Sequence, residues 1–243
     1  NRRLSSQLNE SVAIAVIGEA NNNRLHQYFA TDDFKFFDTQ GNFIGENLKV
    51  AEEVLYKIRN TFVDGKTIES DLLLAPTDFK FGTVISTVAA LFRAGRIIAK
   101  FNGKEYFSFR DSGVKQIFDA ATRFRNASFK AVSKSLSALQ KQDLAQFMLD
   151  IDAEDYIGRK IDFNTNDFEL VNAVRDIARH FVDKVTTLNK SEKDFEKLFP
   201  IAEQNKDLLN AYTGAVSEAN YIDKANEFLT GKDDFHKALK DIE

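Results

Sequence analysis

Residues that often carry catalysis are present in this chain, but none stands in a catalytic pattern. Gly65-Lys66-Thr67 matches the end of a phosphate-binding loop, yet Asn60 occupies the position of its first glycine and a predicted helix precedes it instead of a strand. His26, His180 and His236 are far apart and belong to no spaced metal motif. We therefore nominate no catalytic residue, metal ligand or cofactor, and predict that the chain is not itself an enzyme.

Acidic residues and cysteines give no better candidates for a catalytic or metal-binding site. Asp152, Glu154 and Asp155 are spaced too irregularly for a calcium-binding loop and are typical of a solvated loop. The chain has no cysteine, which excludes disulfides, thiolate nucleophiles and cysteine-based zinc sites. A cysteine-free chain fits a reducing compartment, so we expect a cytoplasmic protein.

Basic residues, by contrast, are concentrated in one part of the sequence. Residues 92–134 contain ten Lys or Arg and three Asp or Glu, a surplus of seven positive charges. The rest of the chain has 23 basic and 34 acidic residues, a surplus of eleven negative charges. A basic block in an acidic protein points to an anionic partner, although it says nothing about the fold.

The elements predicted around this block resemble a winged-helix unit. Residues 84–94 have helical apolar spacing, and Gly95 is well placed to end that helix. The apolar period then changes to two around Asn102-Gly103, the strongest hairpin signal in the sequence. A further helix is predicted over 112–124. Helix, glycine, hairpin and helix in this order predict a winged-helix-like unit with a short β-hairpin.

A winged helix binds DNA through a helix in the major groove and through the hairpin tip, so lysines and arginines are needed at both places. Thr83 and Thr87 are expected on the polar face of the preceding helix. The candidate nucleic-acid or partner-binding residues are Lys80, Arg93, Arg96, Lys100, Lys104 and Arg110.

The remaining sequence predicts a mainly α (α+β) protein in which the winged-helix-like unit is followed by a helical bundle. In the front part we predict helices over 4–28 and 46–62, a hairpin over 33–44 and a helix-ending turn at 64–66. Later helices are predicted over 135–149, 167–188, 195–209 and 211–229, with a loop over 150–166. The expected parts are 1–66, helical with a hairpin; 67–150, winged-helix-like; and 151–243, helical.

Neither the apolar runs nor the first residues of the sequence indicate targeting to a membrane. The longest apolar run, at 12–17, is too short for a membrane span, and the first residues do not form a signal peptide. Because the sequence starts at Asn1 without a methionine, we expect it to begin inside a longer polypeptide.

Residues 72–149 resemble a segment downstream of the ATPase core in the large P-loop ATPase of BREX phage-defence systems (the BrxC/PglY family). The resemblance is carried by Pro76, by the Ala94-Gly95-Arg96-Ile97 turn and by the hairpin that follows. Thr77-Asp78-Phe79 departs from the aromatic-glycine pattern of that family. The resemblance implies that the chain is an accessory region, without an ATP site, of a phage-defence ATPase. It also implies other defence-system proteins as partners and a possible homo-oligomer formed through the parent protein.

Two functions remain open at this point. In one, the basic unit binds double-stranded DNA. In the other, the chain is a protein-interaction or oligomerisation module that does not touch nucleic acid, since winged helices are also used to dock proteins. Neither alternative involves a membrane.

Overall fold

The computed structural model describes residues 4–59, 61–132, 134–163 and 165–243. Asn60, the residue that argues against a phosphate-binding loop, and Asn164 of the predicted 150–166 loop lie outside the described residues, as do residues 1–3 and Ser133. The chain forms two compact units that meet at 133/134, called here the N-terminal and C-terminal units. The sequence had placed boundaries at 66/67 and 150/151. The described residues are mainly helical with one small antiparallel sheet, which confirms the predicted class.

The N-terminal unit contains short helices around one long buried helix. Two 3-10 segments, Asn22–Tyr28 and Asp32–Phe34, follow the first helix. Its α-helices are α1 (Ser11–Gly18), α2 (Lys49–Ile58), α3 (Gly65–Leu73), α4 (Phe81–Arg93), α5 (Lys115–Phe118) and α6 (Ala121–Asn126).

Helix α4 forms the centre of this unit. Every residue from Gly82 to Arg93 is buried, because apolar side chains lie on all sides of the helix and its polar residues, apart from Arg93, are small. Phe92 packs against Phe118 of α5, with ring centroids 5.9 Å apart. A second aromatic contact joins Phe124 of α6 to Phe129 of the sheet at 5.2 Å. The phenylalanines therefore fill the space between α4, the later helices and the sheet.

Four short strands form one antiparallel sheet in the order β1-β4-β2-β3. The strands are β1 (Val63–Asp64), β2 (Ile97–Phe101), β3 (Lys104–Tyr106) and β4 (Ser128–Ala131). Strands β2 and β3 are the predicted hairpin. Strand β4 lies between β1 and β2 and joins residues far apart in the chain, with Val63 opposite Phe129 and Ala99 opposite Phe129.

The described elements of the C-terminal unit are all helices. They are α7 (Ala138–Asp150), α8 (Ala153–Ile157), α9 (Asp167–Ser191), α10 (Phe195–Leu198), α11 (Pro200–Asn210) and α12 (Tyr221–Ile242). Phe147 of α7 packs edge-to-face on Phe228 and Phe235 of α12, at 5.0 and 5.9 Å between ring centroids. Nowhere in the described part of the chain does a helix have both the length and the apolar character of a membrane span.

The first predicted helix, over 4–28, is wrong at both ends. Only Ser11–Gly18 is α-helical, because the residues before it pair with α4 instead of with each other. The Leu8 amide donates to Oγ1 of Thr83 at 2.9 Å, and Oγ of Ser86 donates to the Asn9 carbonyl at 3.1 Å. The predicted 33–44 hairpin is reduced to a single bridge between Phe37 and Phe43 around a tight turn.

Five other predictions along the chain need correction, and one of them is the loop over 150–166, which contains helix α8 (Ala153–Ile157). Asp64-Gly65 does not end a helix: Asp64 accepts a hydrogen bond from the Thr67 amide and caps α3. The helix predicted over 112–124 is divided into α5 and α6, because Ala120 between them has extended backbone angles. The last helix begins at Tyr221 and not at 211, and α10 and α11 replace the single helix predicted over 195–209.

Candidate functional site

The hairpin at the centre of the basic block forms as the sequence predicts. Asn102 and Gly103 have φ angles of +51° and +78°, the two positive values that a tight type I′ turn requires. Lys100 lies opposite Glu105, and Phe101 lies opposite Lys104. Gly95 has a φ of +69° and ends α4 as expected, so the turn from helix to hairpin is also confirmed.

Strand pairing divides the sheet into two faces, because successive side chains point to opposite sides. The core face contains Ala99, Tyr106 and Phe129, which are buried against the helices. The opposite face, called here the outer face, contains Ile98, Lys100, Glu105, Ser128, Lys130 and, opposite Ser128, Asp64. Ile98 is buried, whereas both lysines on this face are partly exposed.

Lys100 and Lys104 therefore lie on different faces, although both flank the tip. Lys104 is two residues from Tyr106 on the same side of the strand, and its Nζ lies 4.8 Å from the Tyr106 ring centroid. The same Nζ donates to the Ser112 carbonyl at 3.3 Å. The two residues cannot act as one flat pair of cations on a single side of the wing.

The outer face gains an aromatic ring from the residue before β1. Phe62 is partly buried, and its ring centroid lies 5.4 Å from Nζ of Lys100 and 5.4 Å from Nζ of Lys130. These distances are within the range of cation–π attraction. Two lysines from neighbouring strands thus meet over one phenyl ring, and this trio is the most concentrated basic and aromatic group on the outer face.

Arg93 does not belong to an exposed basic surface. It is 5% exposed, its Nη2 donates to Oδ1 of Asn22 at 2.6 Å, and its guanidinium carbon lies 3.3 Å from the Phe109 ring centroid. The sequence placed Arg93 in the binding set because it ends the helix before the hairpin. The structure corrects this: its side chain is turned into the core and acts in packing.

Other predicted cations lie at separate places. Arg96 forms an ion pair with Glu46 and lies 5.4 Å from the Phe43 ring centroid. Exposed Arg110 lies 4.8 Å from the Phe109 ring and lines an open cleft of about 550 Å³ beside the end of α1. Lys80 is exposed at the start of α4.

The helix expected to enter a DNA groove has no exposed polar face. Thr83 and Thr87 are 0% and 1% exposed, so their predicted position on a polar surface is wrong. Thr83 instead donates through Oγ1 to Oε1 of Gln7 at 2.7 Å. A recognition helix must present side chains to base edges, and α4 presents none between Gly82 and Arg93.

Acidic neighbours also reduce the charge of the basic block. Nε and Nη2 of Arg125 donate to both carboxylate oxygens of Glu69 at 2.6 and 2.8 Å, and these hydrogen bonds, followed by the charge of Glu69, raise the pKa of Arg125. Arg123 pairs with Asp119 one turn away. Lys100 has a weaker contact, 3.7 Å, with Glu105 across the hairpin.

Sequence reasoning missed Phe62 and did not place Lys130 in the site, because β1 and β4 were not predicted. The pattern Ser128-Phe129-Lys130-Ala131, with its alternating polar and apolar start, was the available signal for β4. A two-residue strand such as β1 leaves no such signal. Within the described residues, no group of three or more histidines, aspartates and glutamates could hold a metal ion.

Comparison with known proteins adds no relative. No protein-family model, curated protein or solved structure matches the chain.

Proposed function

We propose that the chain is a non-catalytic accessory region that binds nucleic acid through its phosphate backbone, using the outer face of the four-stranded sheet. The observation that carries this proposal is the meeting of Lys100 and Lys130 over Phe62 on that face. Each phosphate neutralised by a lysine releases counterions and adds affinity that weakens with salt. Exposed Lys80, Lys104 and Arg110 extend the positive charge of the same unit beyond this face.

The experiment measures binding of the whole chain to a fluorescently labelled oligonucleotide by anisotropy at 50 and 200 mM salt. Changing Lys100 and Lys130 together to Glu should weaken binding at least tenfold at the lower salt. The matched control changes exposed Lys237 and Lys240 of α12 to Glu, an equal change in charge in the C-terminal unit. Absence of binding at 50 mM salt, or an equal loss in the control, would contradict the proposal.

The parent of this region, in the same proposal, is a cytoplasmic phage-defence P-loop ATPase with double-stranded DNA or sister defence proteins as partners. The support is the resemblance carried by Pro76 and by the Ala94–Ile97 turn, in which Gly95 ends α4. The test is a search of the complete gene for a Gly-x-x-x-x-Gly-Lys-Ser/Thr motif after a predicted strand. A complete gene without this motif would remove the ATPase part and leave nucleic-acid binding untouched.

A second function, self-association, is favoured by an exposed apolar cluster in the C-terminal unit. Leu198, Phe199 and Ile201 are 68%, 53% and 59% exposed, and Phe199 packs against Phe195 with ring centroids 4.9 Å apart. Exposed contiguous apolar residues of this size are typical of interaction sites. Lys193, Asp194, Glu196 and Lys197 around the cluster balance in charge, so no net charge repels a second copy that meets the same patch across a two-fold axis.

Sedimentation of the chain over a range of concentrations tests this alternative. Self-association should be lost when Leu198 and Ile201 are changed to Lys, and should persist when Leu139, which is equally exposed at 68% on α7, is changed to Lys. A monomer at every concentration, or an oligomer that survives the double change, would exclude self-association through this cluster.

A further inference from the structure

We infer that the outer face binds an unpaired strand of nucleic acid, with the Phe62 ring stacking on a base while Lys100 and Lys130 bind the flanking phosphates. This inference rests on the proposed function and names its substrate class. It differs from the duplex reading that the sequence suggested, and it follows from where the ring and the two lysines meet.

Neither the outer face nor the helix before the hairpin is suited to reading paired bases. Base pairs of a duplex show their edges only in the grooves, and a major-groove reader inserts a helix or a two-stranded ribbon with exposed polar side chains. Helix α4, directly before the hairpin, is buried from Gly82 to Arg93. At the hairpin tip, Lys100 and Lys104 lie on opposite faces of the sheet. This arrangement can hold phosphates but offers little for reading paired bases.

The outer face contains lysines and an aromatic ring. Proteins that bind single strands without sequence preference combine a positively charged surface with aromatic rings on which bases stack. Phe62 supplies the ring, and the lysines come from β2 and β4, which are adjacent strands. Lys130 is opposite Ile98, so Lys100 is its diagonal neighbour, two residues further along β2. The two cations are therefore offset along the strand direction, and the Nζ of each lies 5.4 Å from the centroid of the same ring.

Lys100 and Lys130 can exchange their contact with the Phe62 ring for contacts with phosphates. Without nucleic acid, each ammonium group lies 5.4 Å from the ring centroid, where the electrons of the phenyl face attract it. A phosphate is a stronger partner for an ammonium than a phenyl face, so a bound strand draws both lysines from the ring and exposes it to a base. Phosphate binding and base stacking should then be coupled.

Asp64 and Glu105 both oppose binding on this face, and Glu105 is the one that contacts Lys100. The Glu105 carboxylate lies 3.7 Å from Nζ of Lys100 and repels phosphates. Changing Glu105 to Gln keeps its shape and removes its charge, so binding of a single strand should become about two- to fivefold tighter at low salt.

The experiment uses the absence of tryptophan from the chain. The Phe62→Trp variant of the full chain contains one tryptophan, whose fluorescence a stacked base should quench. Titration with unstructured oligo(dT) and oligo(rU) of 20 nucleotides should quench it strongly, and a perfect 20-base-pair duplex should quench it weakly. A Phe163→Trp variant, with its tryptophan at a position 46% exposed in the C-terminal unit, should not respond.

Anisotropy of the Phe62→Leu and Phe62→Tyr variants separates stacking from packing. Leucine keeps apolar bulk without a π face, so single-strand affinity should fall about tenfold while duplex affinity and the salt dependence stay as in the parent protein. Tyrosine should retain single-strand affinity. A preference for oligo(dT) or for oligo(rU) identifies the strand as DNA or RNA, and either agrees with the inference.

Two results would overturn the inference, and they differ from failure of the proposed function. If single strand and duplex bind equally and Phe62→Leu changes neither, while the Lys100 and Lys130 variants still lose affinity, phosphate binding stands and stacking is wrong. If no nucleic acid binds at low salt, both the proposed function and this inference are wrong.

Discussion

At the scale of single residues, the role of each cation in the basic block depends on the group beside it. Arg93 is held by Asn22 and the Phe109 ring, and Arg125 by the Glu69 carboxylate, so both stabilise the fold. Lys100 and Lys130 each lie 5.4 Å from the Phe62 ring centroid, and Lys100 also lies 3.7 Å from Glu105 across the hairpin. The count of positive charges in the sequence therefore overstates the charge offered to a partner.

Glu19 gives a prediction that depends on pH. The Asn21 amide and the Tyr28 hydroxyl donate to its carboxylate, each at 2.9 Å, and hold its pKa below the ordinary value of 4.5. Because the folded state favours the charged form, this stabilisation is complete above pH 4.5 and is lost as the pH falls through the folded-state pKa.

Glu19→Gln should lower the free energy of unfolding at pH 7 by about 1 kcal/mol, since an amide oxygen accepts these hydrogen bonds less strongly than a carboxylate. The difference from the parent protein should shrink at pH 3. Urea unfolding followed by circular dichroism at both pH values measures this, with Glu154→Gln at an exposed position as the charge-matched control. A difference of the same size at both pH values would count against the explanation.

At the scale of elements, the approach of residues 8–10 to α4 requires a glycine. A Cβ atom on Gly82 would lie 2.3 Å from the Leu8 carbonyl oxygen and 2.9 Å from the Glu10 amide nitrogen. These are backbone atoms, so a side-chain rotation cannot relieve the contact. Tertiary packing here opposes helix propensity, which alone would favour alanine by about 1 kcal/mol.

We expect Gly82→Ala to destabilise the protein by about 2 kcal/mol or more, although it places a better helix former in a helix. Gly18→Ala is the matched control: this exposed glycine ends α1 and has no atom within 4 Å of an added Cβ. The control should leave stability within about 1 kcal/mol of the parent. Thermal unfolding of both variants tests the contrast, which fails if the two changes have the same effect.

Helix α7 supplies a prediction at the same scale. Ser137 accepts a hydrogen bond from the Gln140 amide at 3.2 Å, and Oε1 of Gln140 accepts one from the Ser137 amide at 2.9 Å, forming a capping box. Ser137→Ala should cost about 1 kcal/mol of stability. Ser135→Ala, at an exposed position before the helix, should cost much less. Equal losses in urea unfolding would show that the cap contributes nothing.

At the scale of the whole molecule, a basic block lies within a chain of net charge −4. Salt screens both the repulsion of nucleic acid by the acidic remainder and the attraction between lysines and phosphates. The change in the slope of log affinity against log salt, when lysines are removed, therefore measures the number of lysine–phosphate contacts that were lost. Lys100→Gln with Lys130→Gln should make the slope of log affinity against log salt less steep by about 1.4 for a single strand. Anisotropy from 50 to 300 mM salt measures it, and an unchanged slope would place the contacts elsewhere.

Features that depend on residues close together in the chain could be predicted from the sequence. The Asn102-Gly103 turn, the end of α4 at Gly95 and the mainly helical class follow from local backbone preferences and apolar spacing, and the structure confirms each of them. The long amphipathic helix α9 begins at the predicted residue, Asp167, for the same reason. Both preferences act between residues close together in sequence, so they do not depend on where the rest of the chain lies.

Which side chains share a surface depends on the tertiary structure. Phe62, Lys100 and Lys130 meet because β4 inserts between β1 and β2, a pairing between residues 63–64, 97–100 and 128–131 that no local pattern specifies. Burial of Thr83, Thr87 and Arg93 likewise depends on what packs around α4. Strand pairing and burial are non-local, so the sequence located the basic block but could not show which of its cations are exposed together.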